Sequence, residues 1–291
     1  MPRTEPHTDL VEFIRTHPRL LVLTGAGIST DSGIPDYRDQ QGEWKRKQPV
    51  QHPDFMRCEH TRKRYWGRSL IGWPVMRDAH PNPAHQALAR LEQLGHIDLL
   101  VTQNVDGLHQ RAGSRKVVDL HGRSDQIVCM SCNYRSSRDE SHQRSAELNP
   151  DYTRYRAATA PDGDADLEVD FSGFHVPGCA QCGGILKPDV VFFGDNVPRL
   201  RVTESLDALQ NADALLVIGS SLMVYSGFRF CRRANEWNKP IAALTLGKTR
   251  ADELLSLKLN APITPVLQAA LKELAAPLDG YLLNPNPGKF P

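Results

Sequence analysis

The sequence predicts an α/β fold, a Rossmann-like parallel sheet with helices on both faces, plus a small inserted lobe. Short, bounded apolar runs such as residues 20–23 and 214–218 are typical of strands buried on both faces. Helical stretches separate these runs, as in a parallel sheet. Residues 125–189 carry cysteines, many charges and few apolar runs, which indicates an inserted module. The main domain would then comprise residues 1–124 and 190–291, with a helical lobe at about 40–80.

Composition restricts the class of protein. The chain has 291 residues, 40% of them hydrophobic, and a net charge of +1. That charge predicts no broad attraction to nucleic acid or to an acidic membrane. No apolar run approaches the ~18 residues of a membrane helix. The first ten residues lack the apolar core of a secretory signal and the character of a mitochondrial one, so we expect a cytoplasmic protein.

The N-terminal half begins with a predicted helix over residues 8–16 and a strand at 20–23. Gly25 and Gly27 allow a sharp turn after that strand, and we expect a helix to follow. The segment 39–80 reads as a loop followed by the helical lobe. Asn82 and Pro83 are a typical helix start, and Gly95 is a typical stop.

Further strands are predicted at 97–101, 117–120, 214–218 and 241–246, helices at 251–259 and 264–275, and an irregular tail from Pro277. A motif follows each of five strands, at 24–29, 102–106, 121–122, 219–222 and 245–247. Ligands of such sheets bind at the carboxyl ends of the strands. The five motifs should therefore meet on one rim.

The first of these motifs indicates nucleotide binding. Backbone N–H groups at a strand-to-helix turn can bind phosphate oxygens, helped by the positive end of the following helix. A dehydrogenase would have a third glycine where Thr30 stands and an acidic residue about 20 positions on, where the chain reads WKRKQPV instead. The pattern favours a nucleotide without hydride transfer.

Two Cys-x-x-Cys pairs, Cys129 with Cys132 and Cys179 with Cys182, offer four thiolates for one tetrahedral Zn²⁺ ion. Four sulfurs leave no open position for water, so the predicted site is structural and the inserted lobe is a zinc-binding lobe. His121 follows a strand and precedes a glycine on the shared rim. An unshifted imidazole titrates at about 6.5, so His121 can accept a proton at neutral pH, although a merely hydrogen-bonded rim residue is the alternative.

Five ordered blocks resemble the sirtuins, a family of NAD-dependent protein lysine deacylases. GAGIS with SGIPDYR, TQNVDGLH, LHG, the cysteine pairs and GSSL carry the resemblance, which runs from about residue 20 to 259. It implies that the acyl oxygen of the substrate lysine attacks the ribose carbon of NAD as nicotinamide leaves. His121 would be the general base and Asn104 a second catalytic residue facing the ribose. The acyl group ends on ADP-ribose.

The resemblance also implies a set of binding residues. NAD would be held by Gly25, Ala26, Gly27, Ile28, Ser29, Ile34, Pro35, Asp36, Tyr37, Arg38, Gln103, Asn104, Val105, Asp106, Gly219, Ser220, Ser221, Thr245, Leu246 and Gly247. The family often has Asn where Thr245 stands, a position that contacts the adenosine of NAD. Thr245 can form one hydrogen bond there but cannot offer the two groups of an amide. The substrate peptide that carries the acylated lysine would pair by its main chain with residues 223–227 on one side. On its other side it would lie along Val190, Val191, Phe192, Phe193 and Gly194.

Within the family the chain is similar to the class II branch, through RYWGRSLIGWP at 64–74 and APDGD at 160–164. Tyr65 and Arg68 are three residues apart in the sequence and resemble a Tyr–Arg pair that binds the carboxylate of an acyl group. The alternative is that both are ordinary packing and surface residues of the helical lobe. The preferred acyl group and the protein targets stay open, and a monomer is favoured.

Three other functions are compatible with parts of the pattern. The same NAD site could serve protein mono-ADP-ribosyl transfer. A zinc-ribbon binding module with a vestigial nucleotide fold would need no catalysis by His121. An NAD dehydrogenase lacks the third glycine and the acidic partner.

Overall fold

The computed structural model describes residues 5–45, 49–158 and 163–276. The predicted irregular tail from Pro277 and the first part of the 160–164 segment lie outside the described residues. The helices and strands are α1 Pro6–Thr16, β1 Leu20–Thr24, α2 His52–Arg57, α3 Glu59–Asp78, α4 Pro83–Gln93, β2 Ile97–Thr102, α5 Leu108–Arg111, β3 Val117–Asp119, β4 Gly122–Cys129, β5 Arg135–Ser137, α6 Arg138–Leu148, β6 Leu186–Val190, α7 Arg199–Asn211, β7 Ala214–Ile218, α8 Tyr225–Glu236, β8 Ile241–Leu244, β9 Leu257–Leu259 and α9 Ile263–Leu274.

The main sheet has six parallel strands in the order β3-β2-β1-β7-β8-β9, which confirms the predicted fold class. The chain starts in the middle of the sheet at β1, moves outward to β3, and returns to pair β7 on the other side of β1. Strand order therefore reverses between β1 and β7. Loops that leave the sheet at such a switch point diverge and open a crevice at the carboxyl ends of the strands.

Helices cover both faces of this sheet because its strands are apolar on both sides. All five residues of β1 and of β7 are buried. One face packs against α1, α4 and α9, through residues such as Leu10, Leu88 and Leu267. The other packs against α7 and α8, through residues such as Leu209 and Phe230. Among the described residues, no helix combines the length and the apolar character needed to cross a membrane.

A second, antiparallel sheet with the order β5-β4-β6 lies between β3 and α7 in the chain. It shares one hydrophobic core with the helical lobe, since Phe55 of α2 and Trp66 of α3 pack in the same cluster as Ile127 of β4 and Phe174. The buried Arg138 guanidinium at the start of α6 lies over the rings of Trp66 and Trp73, at 4.8 and 5.2 Å. The helical lobe and the inserted segment are thus packed as neighbours.

Two sequence expectations about local structure are wrong. Residues 251–259 do not form a helix, because Leu257–Leu259 pairs with β8 as the edge strand β9 after one 3₁₀ turn at Asp252–Leu254. Their closely spaced leucines imitate a helical period, and strand pairing decides the outcome. The glycine turn is likewise followed by two 3₁₀ turns, Ala26–Ile28 and Thr30–Ser32, in place of an α-helix.

Candidate active site

The five motifs meet on one rim of the sheet, as the sequence predicted. They line a cleft of about 400 Å³ at the switch point between β1 and β7. The lining includes the turn after β1, the segment after β2, His121 after β3, the segment after β7, and Thr245 after β8. A cleft of this size with convergent polar groups has the properties of a ligand site.

Glycines after β1 and β7 are required by the way the two loops pack. A Cβ on Gly25 would lie 2.7 Å from the Ser220 Cβ, and one on Gly27 would lie 2.9 Å from the Gly219 carbonyl oxygen. The Gly27 N–H donates to that carbonyl at 2.9 Å. Gly219 itself has a φ of +64°, a left-handed backbone conformation that would be strained in a residue with a side chain. The glycine turn is therefore held at the cleft by direct backbone contact with its neighbour.

A hydrogen-bond network joins the segment after β2 to the glycine turn. The Ser29 hydroxyl donates to Asp106 Oδ2 at 2.7 Å and accepts from Asn104 Nδ2 at 3.0 Å. Gln103 Nε2 donates to Ser220 Oγ at 2.8 Å, which links β2 to the loop after β7. Asp106 Oδ1 also accepts from the Leu108 N–H at 2.9 Å. Each of these polar side chains in the cleft is thus fixed by a partner from a loop that follows another strand.

Two buried histidines support this network from behind. His85 Nδ1 accepts from the Asn82 N–H at 3.3 Å, in the capping box that starts α4. Its other nitrogen therefore carries the proton and points to Ser29 Oγ at 3.5 Å. The His109 ring lies 4.8 Å from that of His85, and its Nε2 lies 2.9 Å from Thr24 Oγ1. Burial lowers the pKa of His85 to about 4 and that of His109 well below its usual value, so both are neutral at pH 7.

The hydrogen bonds of His121 fix its tautomer. Nδ1 lies 2.9 Å from the Gln103 carbonyl oxygen, which can only accept, so Nδ1 carries the proton. Nε2 then has the free lone pair and accepts from the Ser226 hydroxyl at 2.7 Å. Burial is the largest cause that lowers the pKa of His121 to about 4, and the charges of Arg201 and Arg229 also lower it. The imidazole is neutral at pH 7, as a general base must be.

The residue after His121 has to be glycine. Gly122 has a φ of +86°, and a Cβ there would lie 1.9 Å from the Asp189 carbonyl oxygen. This close approach brings β6 beside the His121 turn, and the Val191 N–H donates to the His121 carbonyl oxygen at 2.8 Å. The segment from Val190 to Gly194 therefore follows the wall of the cleft next to the imidazole.

Aromatic rings connect the loop after Ile34 to that same segment. Phe193 lies edge-on to Trp44 at 5.6 Å and to Tyr37 at 6.4 Å between ring centroids. The Arg38 guanidinium lies 4.0 Å from the centroid of Trp44 and donates to the Gly42 carbonyl at 2.7 Å. Asp36 forms an ion pair with Lys45 at 2.5 Å. Tyr37, Arg38 and Asp36 all line the cleft, as expected from the sequence.

Some predicted site residues do not line the cleft. Ile28 is buried beneath the turn, Pro35 lies outside the lining, and a Cβ on Gly247 would lie 2.4 Å from the Gln40 carbonyl oxygen, so that glycine serves loop packing. The remaining predicted NAD and peptide residues line it, apart from Tyr65 and Arg68.

The structure does not bring Tyr65 and Arg68 into the cleft. Tyr65 is 6% exposed and its ring packs 5.2 Å from that of Phe192, one layer behind the lining. The Arg68 guanidinium forms an ion pair with Asp164 at 3.3 Å and donates a hydrogen bond to the Ala165 carbonyl at 2.5 Å. Both positions agree with the alternative that these are ordinary packing residues of the lobe. The spacing of two residues on one helix could not decide this, since it does not show whether that face of the helix lines a cleft or is buried.

The family resemblance placed residues 223–227 beside the substrate peptide, but sequence reasoning missed Arg229 and the contact of Ser226 with His121. Ser226, Arg229 and Tyr225 line the cleft beside His121, as do Asp195 and Trp44 elsewhere on its wall. A signal was present in the sequence, because α8 begins only three residues after the GSSL motif. Its first turn must then lie close to the rim that the motif occupies.

The four cysteines of the inserted segment fit one zinc ion. Their sulfurs all lie within 4.8 Å of one another, with Cys129 and Cys182 at 3.5 Å and Cys132 and Cys179 at 3.8 Å. A tetrahedral zinc with bonds of about 2.3 Å separates its sulfurs by about 3.8 Å. Backbone N–H groups of Ser131 and Gln181 point to sulfurs at 3.4 Å. The arrangement is that of a closed structural site with no position for water.

Comparison with known proteins gives concordant results. The Sir2 family profile matches residues 25–226. An NAD-dependent protein deacetylase of Bradyrhizobium diazoefficiens is 59% identical over 252 residues, which cover 86% of this chain and 92% of that protein. The human NAD-dependent protein lipoamidase sirtuin-4 is 50% identical over 257 residues, covering 87% of this chain and 82% of that protein.

Solved structures agree with these sequence matches. A complex described as Sir2 with a p53 peptide and NAD⁺ superposes with a TM-score of 0.74 at 29% identity, covering 91% of this chain and 97% of that one. A Sir2 structure bound to acetylated peptide superposes with a TM-score of 0.73 at 28% identity, with 91% and 97% covered. Taken with the five motifs that meet at the switch point, these matches establish that the chain belongs to the Sir2 family, the sirtuins.

Proposed function

We propose that this protein is an NAD-dependent protein lysine deacetylase or deacylase that releases nicotinamide and transfers the acyl group to ADP-ribose. The observation that carries the proposal is the neutral His121 imidazole, which lines the cleft together with the glycine turn and whose unprotonated Nε2 accepts from the Ser226 hydroxyl. The relatives at 56–59% identity that bear the name deacetylase support the same activity.

The residues of the cleft divide into those that would hold NAD and those that would act on the substrates. The N–H groups of Gly25, Gly27 and Gly219 already donate to backbone carbonyls. Within the same two loops, Ala26, Ser220 and Ser221 would bind phosphate and ribose through backbone N–H and hydroxyl groups. When bound, NAD supplies the ribose carbon that accepts the acyl oxygen as nicotinamide leaves. The fixed amide and carboxylate groups of Asn104 and Asp106 would orient the ribose and the nicotinamide amide.

His121 would take the proton from a ribose hydroxyl at Nε2, the unprotonated nitrogen, where that hydroxyl would replace the Ser226 hydroxyl as the donor. The Gln103 carbonyl would keep Nδ1 protonated during that step and hold the ring in place. The acylated lysine would lie along the segment from Val190 to Gly194, whose anchorage on His121 supports its placement there.

The supporting architecture is proposed as two units. The Rossmann-like domain would comprise residues 1–124 and 190–291, and residues 125–189 would form the zinc-binding module. Cys129, Cys132, Cys179 and Cys182 would hold one structural zinc ion, and thiolate ligands of this kind fit a reducing, cytoplasmic location. We propose a monomer, with acylated lysines of proteins as its partners.

The test is a reaction of the purified protein with NAD and a panel of acetyl-, succinyl-, methylglutaryl- and lipoyl-lysine peptides, since one relative is named a lipoamidase. Nicotinamide and O-acyl-ADP-ribose should appear together for the preferred acyl group. His121→Ala should lower kcat by about 10²- to 10⁴-fold. His80→Ala, an exposed histidine outside the cleft lining, is the matched control.

The same reaction examines protein mono-ADP-ribosyl transfer, the alternative that uses the same NAD site. That activity would leave the mass of ADP-ribose on protein, without O-acyl-ADP-ribose in solution. Turnover that is unchanged in His121→Ala would contradict the proposed mechanism.

A further inference from the structure

A second cavity of about 380 Å³ lies between α7 and α8, next to the cleft. Its lining consists of Val202, Leu206, Tyr225, Arg229, Arg232, Arg233 and Glu236. Tyr225 and Arg229 line both this cavity and the cleft. We name it the α7–α8 groove. The groove and the cleft are therefore adjacent, with these two side chains between them.

The groove carries an excess of positive charge. Glu236 is shared by Arg233 at 2.7 Å and Arg232 at 3.6 Å. Arg229 has no carboxylate within ion-pair distance among the described residues, and its Nε is buried without a hydrogen-bond partner there. Its guanidinium lies 5.3 Å from the centroid of Tyr225. The groove thus holds three guanidinium groups and one carboxylate. The guanidinium nearest the cleft, that of Arg229, forms no ion pair within the described part of the chain.

Apolar groups surround these charges. Val202 and Leu206 form the α7 wall, and Tyr225 in the lining is 49% exposed. An ordinary small-anion site would be walled by polar donors. A polypeptide segment with acidic side chains uses both kinds of surface, since its carboxylates pair with guanidinium groups and its apolar parts cover Val202 and Leu206.

We propose that the α7–α8 groove binds an acidic segment of the substrate polypeptide that flanks the acylated lysine, so that this enzyme prefers acyl-lysine sites with nearby Asp or Glu. The inference rests on the proposed deacylase function. Ser226, which contacts His121, and Arg229 are three residues apart on α8, hence on the same face of the helix. A substrate whose lysine reaches His121 therefore carries its neighbouring residues past Arg229.

The experiment measures kcat/KM for acetyl-lysine peptides in which a Glu-Glu, Gln-Gln or Lys-Lys pair is placed at successive distances on either side of the lysine. The wild-type protein should prefer Glu-Glu over Gln-Gln by about three- to tenfold at the best position, mainly through KM. The preference should fall as salt is raised from about 50 to 500 mM, because the pairs are partly exposed.

Arg229→Gln and Arg232→Gln should each reduce the preference for Glu-Glu, and the double variant should remove it. Arg232 lines the groove but not the cleft, so its variant separates an effect in the groove from one on His121. Arg90→Gln is the matched control, since it removes one exposed arginine from α4 on the other face of the sheet.

Three results would overturn the inference. Equal kcat/KM for Glu-Glu and Gln-Gln peptides in the wild type would exclude acidic recognition while leaving the deacylase function intact. A preference that persists in the double variant would place it outside the groove. A change of oligomeric mass in Arg232→Gln, measured by light scattering with no change in KM, would assign the groove to a second copy of the chain. Absence of nicotinamide release from every peptide would instead count against the proposed function.

Discussion

His121 shows how much of the chemistry depends on a few hydrogen bonds. Its Nδ1–H donates to the Gln103 carbonyl, and the Ser226 hydroxyl donates to the Nε2 lone pair. The Ser226 bond to the unprotonated Nε2 disfavours protonation, in the same direction as burial. The bond to the Gln103 carbonyl raises the pKa, but burial outweighs it. With a pKa of about 4, the imidazole of the free enzyme should stay neutral through most of the acidic range.

The pKa of His121 determines how the activity should change with pH. A base acts in its neutral form, so kcat/KM should stay level as pH falls from 7 and decline only as pH approaches about 4. Ser226→Ala removes the donor to Nε2 and should raise the pKa of His121, which moves the acid limb upward by about 0.5–1 pH unit. The measurement is the pH profile of kcat/KM, with retained zinc and an unchanged melting temperature as checks on folding.

Ser226→Thr keeps the hydroxyl and is the matched control, with an acid limb close to that of the wild type. Equal shifts in Ser226→Ala and Ser226→Thr would show that the hydroxyl does not act on His121. At the residue scale the sequence indicated His121, because a strand and a glycine flank it. It could not indicate that Ser226 contacts His121, since a serine in the first turn of a helix is ordinary until that turn is placed in space.

At the scale of elements, the glycine turn depends on the approach of two loops. Gly27→Ala places a Cβ 2.9 Å from the Gly219 carbonyl oxygen, a backbone atom that can move only with its loop. We expect a loss of about 2–3 kcal/mol in the free energy of unfolding and weakened NAD binding. Urea unfolding and calorimetric titration with NAD measure the two effects.

Gly33→Ala is the comparison variant, because Gly33 has a φ of +83° but nothing lies within 4 Å of its added Cβ. Its cost should be about 1–2 kcal/mol of backbone strain. Should Gly27→Ala be no worse than Gly33→Ala in both measurements, loop packing would not be the reason for the glycine.

Element prediction succeeded where the local signals were strong. Asn82 and Pro83 begin α4 with a capping box, and Gly95 follows its end with a φ of +86°. It failed at residues 251–259, where leucines spaced as in a helix form the edge strand β9. A three-residue strand exists only because β8 offers it hydrogen bonds, and that partner lies outside any local window.

For the whole molecule, the helical lobe and the inserted segment share one hydrophobic core. We therefore expect loss of zinc to destabilise both of them. Cys132→Ala should lose the zinc ion, measured as one zinc per chain in the wild type by elemental analysis. Because Trp66 of α3 packs in the same cluster as Ile127 and Cys129, amide hydrogen exchange should also accelerate in α3. Strands β1 and β7, whose core is separate, should stay protected.

Cys58→Ser is the matched control, since Cys58 is exposed and lies outside the group of four sulfurs. It should keep its zinc and the exchange pattern of the wild type. Unchanged exchange in α3 after loss of zinc would show that the helical lobe holds its structure without the zinc-binding segment.

The sequence by itself determined five of the six strands of the main sheet, the rim on which the motifs meet, the group of four cysteines and the position of His121 on that rim. It could do so because apolar periodicity, glycine turns and cysteine spacing are local patterns. Only the tertiary structure decided that Tyr65 and Arg68 lie outside the cleft lining, that Ser226 contacts His121 and that Arg229 lines the cleft. The physical reason is that exposure to a cleft depends on which distant element packs against a helix. No local pattern specifies that choice.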